Sequence, residues 1–421
     1  MDEPSRGLRR AFVALQYRDF RLLFISQVVT GIGGDFLNFS NAWQIYAMTG
    51  SALALGLTGV ARAVPVILFS LVGGVIADRF DRRKIIIVSE VAAGALALAL
   101  SFLTLFAFIQ VWHIYLAVFL NNTLSAAATP ARRAVVATIV PRHHLMNAMS
   151  LTTFASQTER IGAPALAGLL VALVGTPLTY ALEGLAQLIN AATLLRVSAN
   201  LAPARRQGSP VRDLIEGLAF VRVHSIILVM MLMDTAANLV GNYVVVLPLL
   251  ADHFEVGAVG FGLFGSASAV GRVVGSTTLL SLGNFRYKGL LIGGAFLGYA
   301  VFLALLGLAP WFALALIAVG GLGMCDTVQA QTRNVLIQLL TPDDLRGRVS
   351  SFQSMLQQGG PALGQGVLGA GAMIIGVPMV LVGGAIICGT INLGILLGRK
   401  DLRSPYLGAE RASTETAGAA R

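Results

Sequence analysis

Apolar positions along the chain gather into twelve runs, near residues 20 to 46, 51 to 77, 84 to 109, 112 to 136, 145 to 174, 177 to 197, 223 to 250, 257 to 282, 288 to 308, 311 to 338, 346 to 375 and 378 to 398. Each is long enough to cross about 30 Å of hydrocarbon as a helix. The pattern predicts an all-α membrane protein with twelve transmembrane helices, and an even number of spans puts both termini on one side. The polar interruptions alternate in kind. Turns near Gly50, Gln110, Gly175, Pro310 and Gly376 hold no Lys or Arg, and the turn at residues 251 to 256 holds Asp252, His253 and Glu255. The remaining turns are basic. Loops rich in Lys and Arg stay cytoplasmic, so the basic side and both termini face the cytoplasm.

The sharpest boundary follows the second run, which stops at Asp78, Arg79, Asp81, Arg82, Arg83 and Lys84. A charge left in hydrocarbon costs roughly 2.5 kcal/mol or more, so this cluster reaches water. An internal repeat divides the chain: Arg133, Leu145 and Pro164-Ala165-Leu166 recur about 200 residues later as Arg333, Leu345 and Pro361-Ala362-Leu363. The expected organisation is two pseudo-symmetric six-helix bundles, residues 1–197 and 223–400. Between them lies a cytoplasmic linker, 198–222, with an amphipathic run around Asp213 to Phe220. Residues 401–421 form a small, polar cytoplasmic tail, expected to be disordered.

Composition agrees with a polytopic membrane protein. Of 421 residues 56% are hydrophobic and 12% charged, against about 25% charged in soluble domains. The net charge of +10 does not point to nucleic acid, because the cations sit between apolar runs and not on a basic face of a soluble domain. Cys325 and Cys388 lie within apolar runs and make no disulfide framework or zinc site. The N-terminus, with Arg6, Arg9 and Arg10 followed by Gln16 to Asp19, does not read as a removable signal peptide. Lys84, Lys288 and Lys400 are the three lysines, and none is followed by Ser or Thr, so the phosphate-cradling loop of a nucleotide-driven pump is missing. The five histidines have no metal-ligand spacing. The expectation is a non-enzyme without cofactor or metal, powered by an ion gradient.

Polar residues inside spans need a reason. Asp35, Asn38 and Asn41 in span one, Asp234, Asn238 and Asn242 in span seven, Asn122, Ser125 and Thr129 in span four, and Asp326, Gln329 and Arg333 in span ten each recur at helical spacing. Such stripes either bond helix to helix or line a wet cavity, and four of them favour the cavity. Depth suggests two buried charge pairs. Asp35 and Arg62 lie level about their hairpin, as do Asp234 and Arg272 about theirs. A nearby Arg makes Asp35 a poor simple proton carrier. Asp326 is the alternative carrier, and Glu159 is held locally by Arg160. Asp78 is expected to dock on the start of span eleven near Arg346 and Arg348, locking the cytoplasmic side.

Gly74, Asp78-Arg79 and Arg82-Arg83 resemble the loop signature between the second and third helices of the major facilitator superfamily, with Asp81 where Gly is usual. Gly162, Ala163 and Pro164 resemble its exporters' fifth-helix signature, with Ala163 replacing a Gly. Tyr17-Arg18-Asp19-Phe20, Gly34-Asp35, Thr49-Gly50-Ser51, Ala61-Arg62, Pro130-Ala131-Arg132-Arg133 and Arg346-Gly347-Arg348 extend the similarity to the branch containing macrolide and enterobactin-type exporters. The resemblance implies a substrate cavity lined by spans one, four, seven and ten, including Asn38, Asn41, Asn122, Ser125, Asn238, Asn242 and Gln329. It also implies a helix-five kink at Gly162 and Pro164. The mid-helix Arg that many proton antiporters carry in span four is replaced by Asn121 and Asn122. The expected function is export of a small amphiphilic molecule, such as a drug, antibiotic or siderophore, by proton antiport. The protein would act as a monomer in the bilayer of a prokaryotic cytoplasmic membrane. A lipid or lysophospholipid transporter of the same fold and a non-cycling membrane receptor are the alternatives.

Overall fold

The computed structural model describes residues 12–79, 81–196, 210–283, 285–342 and 345–404, without the side chains of residues 70–79 and several further helical positions. The described chain is helical. In order come α1 (Arg18–Thr49), α2 (Ala52–Arg79), α3 (Arg82–Leu105), α4 (Val111–Ile139), α5 (Arg142–Leu195), α6 (Pro210–Val223) and α7 (Ser225–Gly241). They are followed by α8 (Leu247–His253), α9 (Gly257–Leu282), α10 (Lys288–Gly307), α11 (Phe312–Leu340), α12 (Arg346–Ile375), α13 (Val377–Gly398) and α14 (Lys400–Arg403). Each of the twelve apolar runs lies mainly on helix. Among the described residues nine stretches are long and apolar enough to cross a membrane, with α5 counted once.

α5 carries two runs because its 54 residues break at Gly175, where φ is 80° and ψ 170°. That left-handed, extended conformation suits Gly and lets the chain reverse without a loop. Gly376, between α12 and α13, has the same backbone, φ 81° and ψ 159°. The repeat therefore extends from sequence to backbone angles. The seventh run, expected as one helix, is instead divided. α7 ends at Gly241, a 3₁₀ turn covers Tyr243–Val246, and α8 begins with Pro248 in its first turn. Asn242, at φ −76° and ψ 77°, leaves the helical region and ends α7, and Pro248 has no N–H with which to bond the Val244 carbonyl within the 3₁₀ turn.

Two compact units result, residues 1–49, 64–210 and 257–266 in the first, and 50–63, 211–256 and 267–421 in the second. In the first, Phe20, Ile86, Val135, Val136, Leu151 and Leu194 belong to a buried core drawn from α1, α3, α4 and α5. The first turns of α9 join this unit: Phe261 stacks on Phe39 at 4.4 Å, and Gly262 packs on the backbone of Pro164 and Gly168. In the second, Met230, Met233, Phe296, Leu336, Ile337 and Cys388 form the core. The first turns of α2 join it, with Gly56 and Gly59 against Ala362, Gln365, Gly366 and Gly369 of α12. Without side chains at these crossings, the backbones come within van der Waals reach, the usual basis of helix association in lipid.

The α2–α3 turn is built by Asp81, whose carboxylate accepts the Arg83 N–H at 2.9 Å and caps α3. An acid in place of the expected Gly thus does structural duty at a helix start. Arg83 reaches across to donate to the Leu194 carbonyl at 3.1 Å and to that of Leu195, closing the end of α5.

Candidate functional site

The second unit holds a charge cluster inside its spans. Asp234 on α7 and Arg333 on α11 form an ion pair at 2.6 Å, with both side chains almost wholly buried. Gln329, one turn before Arg333, accepts from it at 2.6 Å and donates to Asp234 at 3.3 Å and to Asp326 at 3.0 Å. Asn238 donates to the Asp234 carboxylate at 3.1 Å. Arg272 of α9 donates to Ser268 Oγ at 2.9 Å and lies within electrostatic reach of Asp326. Tyr243 shares that Ser268 hydroxyl at 3.0 Å. Two arginines and two aspartates therefore offset one another in one network, the arrangement that makes buried charge tolerable.

This corrects the expected Asp234–Arg272 pair. The two residues are level in depth, but rotation about the α7 and α11 axes turns Asp234 toward Arg333. Arg333 was read only as part of a stripe and is instead the central cation. The cavity expectation changes at three further positions. Gln329 is buried inside the network. Asn41 is buried and accepts from the Tyr180 hydroxyl at 3.0 Å. Asn242 is buried and donates to the Pro361 carbonyl of α12 at 2.7 Å. These three tie helix to helix, because a buried amide needs a partner more than a view of water.

Other stripe residues keep a more open setting. Asn38 is exposed and donates back to the Gly34 carbonyl at 2.9 Å. Asn122 is half-buried and donates to the Val118 carbonyl at 2.8 Å, while Ser125 is exposed. Asp35 is half-buried. It stands in the first unit and Arg62 in the second.

The first unit holds an acidic set that sequence reading largely passed over. Glu159, half-buried, lies against Gly31 of α1, and Arg160 beside it is exposed. Glu183 lies against Gly33 and is buried. Glu90 of α3, also buried, pairs with Arg132 of α4 and hydrogen-bonds Asn190 of α5. Asp35 is within electrostatic reach of both Glu159 and Glu183. Glu90 and Glu183 each stand as an acid in an otherwise apolar run, which was the signal available to find them.

At the helix-five kink, α5 runs on through Gly162 and Pro164. Ser266 of α9 donates to the Ile161 carbonyl at 2.7 Å, supplying a partner near the backbone that Pro164 perturbs. Of the gating residues, the side chains of Gly74, Asp78 and Arg79 lie outside the described residues. Arg82 opens α3 beside the Arg83 cap. Arg346 donates to the Gln338 carbonyl at 3.2 Å. Arg348 pairs with Glu216 of α6 at 2.5 Å, so the linker helix supplies a carboxylate to the start of α12.

These features fit what comparison with known proteins finds. The enterobactin exporter EntS of Shigella dysenteriae serotype 1 (strain Sd197) is 25% identical over 379 residues, covering 90% of each chain. That of Escherichia coli O81 (strain ED1a) is 26% identical over the same lengths. Among solved structures, the nucleoside transporter NupG superposes with a TM-score of 0.71 at 12% identity, over 90% of this chain and 98% of that one. The D-xylose-proton symporter gives 0.68 at 14% identity, over 90% and 97%. At such identities these structures establish the fold alone, which is the major facilitator fold. The profile of the transmembrane secretion effector family matches residues 10–405. The chain is therefore a multi-pass membrane transporter, not an enzyme, and it belongs to the transmembrane secretion effector family of the major facilitator superfamily.

Proposed function

We propose that this transporter exports a small amphiphilic molecule of the siderophore class across a bacterial cytoplasmic membrane, in exchange for protons moving inward, by alternating access. In this reading it works as a monomer with both termini in the cytoplasm. The observation that carries it is the similarity to the enterobactin exporters over 90% of each chain. The buried charges add support. Asp234, Arg333, Gln329 and Asp326 form a network with two acids and exchangeable hydrogen bonds, of the kind that marks ion and substrate pathways within spans.

The test compares a deletion strain with an overexpressing one. Export of a siderophore predicts that the deletion strain retains the compound in its cells and that overexpression raises its level in the medium. Antibiotics and dyes tested alongside define how far the specificity extends. Counterflow in liposomes separates the remaining readings: an exporter exchanges enterobactin across the bilayer. A protein that moves only lysophospholipid, or that binds without exchange, overturns the proposal.

A further inference from the structure

Glu183, in the second arm of α5, is 1% exposed and has a one-sided environment. One carboxylate oxygen accepts from Gln187 Nε2 at 2.7 Å. The other, Oε2, is buried without a hydrogen-bond partner and rests on α1 at Gly33, where a methyl group would overlap it. The charged groups that face it from neighbouring helices are both acids, Asp35 of α1 and Glu90 of α3. The cation on that side, Arg132 of α4, is engaged by Glu90. Glu159 and Arg160 stand on the first arm of α5, with Glu159 against α1 at Gly31.

A bare carboxylate here would bear the desolvation cost of a buried ion and the repulsion of two acids, with no arginine among the described side chains to offset either. A carboxylic acid avoids both, and leaves a single hydroxyl short of a partner, a much smaller cost. The contact that buries the group is also the one that a shift of α1 would open, because Gly33 offers no side chain to hold it. We propose that Glu183 binds a proton in the buried arrangement and gives it to water when α1 moves away, so that this carboxyl carries the exchanged proton. The carboxylate takes its proton from hydronium, one O–H bond of which breaks as the carboxyl O–H forms and water is left; on opening the carboxyl O–H breaks and water accepts the proton. The inference deepens the antiport reading and rests on it.

The test uses the full chain reconstituted in lipid vesicles. Infrared difference spectra between high and low pH should show the carbonyl stretch of a protonated carboxylic acid, and Glu183→Gln should remove a component of that band. Spectra identical in the wild type and Glu183→Gln overturn the proposal. In the same vesicles Glu183→Gln should still exchange enterobactin by counterflow but no longer accumulate it when a pH gradient is imposed. Gradient-driven accumulation that survives in Glu183→Gln also overturns it. If Glu183→Gln does not insert, Gly33→Ala takes its place. Its methyl group displaces the carboxyl and should shift the band, and an unshifted band counts against the site. A wild type that ignores the gradient overturns the antiport reading and the carrier role with it, while the infrared band still decides separately whether the buried proton exists.

Discussion

Among single residues, Arg333 has the most at stake. It is 2% exposed and anchors Asp234 and Gln329. Removing one partner of a buried ion pair costs about 3–5 kcal/mol, since the other charge is left stranded. Arg333→Met should therefore lower the thermal stability of the purified protein sharply, and Arg333→Met with Asp234→Leu should recover much of the loss. Equal melting temperatures for the single and double variants would contradict the pairing. Asp35 and Arg62 invite a parallel test, as the proposal that they pair predicts that Asp35→Arg with Arg62→Asp restores the insertion lost in either single variant. A double variant no better expressed than the worse single one ends that idea. The contrast between the two pairs shows what sequence conveys. Depth can be counted from a hairpin, which put Asp234 and Arg272 level, but rotation about a helix axis leaves no mark in the residue order, and rotation decided for Arg333. Glu183 escaped for another reason: Glu183, Gln187 and Asn190 recur at helical spacing but hold a single charge among them, and the importance of Glu183 lies in the Gly33 surface facing it.

At the scale of elements, the close crossings carry the load that hydrophobic cores carry in water. Gly262 meets the backbone of Pro164 and Gly168, and Gly56 that of Gln365 and Gly369, each approach possible only without a side chain. Gly262→Leu should force α9 away from α5 and reduce folded yield, whereas Gly294→Leu on α10, whose added carbon meets nothing within 4 Å, should be tolerated. Size-exclusion profiles of the two variants decide it, and similar profiles would count against the crossing. Gly175→Ala should cost about 1–2 kcal/mol through its left-handed φ, measurable as a lower melting temperature. Pro164 and Pro361 were legible in sequence as places where the backbone ladder lacks a donor, because proline acts locally. The division of the seventh run at Asn242 was not, since a polar residue in helical register with Asp234 and Asn238 reads as part of a stripe and not as a helix end.

For the whole molecule, hydropathy and charge alternation located all twelve apolar runs, because crossing hydrocarbon is a demand that each run meets by itself. The same alternation predicts the orientation. Single cysteines at Ser51 and Pro310 should be labelled by an impermeant reagent from outside intact cells, and those at Lys84 and Arg346 only after permeabilisation, in a background lacking the buried Cys325 and Cys388. Labelling of both sets from outside would reverse the topology. The substrate left a weaker mark: of the seven polar residues expected to line a cavity, Asn41, Asn242 and Gln329 are hydrogen-bonded within their own units, while Asn38 and Ser125 are exposed.

The Asp234–Arg333 pair also bears on how the protein is made. Ribosomes deliver the chain in order, at about 5–20 residues per second, so Asp234 reaches the bilayer several seconds before Arg333 exists. During that interval α7 holds an acid whose cation has not been synthesised. Newborn chains that stop short of α11 should be unstable clients of membrane proteases, and Asp234→Asn should lengthen their half-life in a pulse-chase experiment even though it harms the finished transporter.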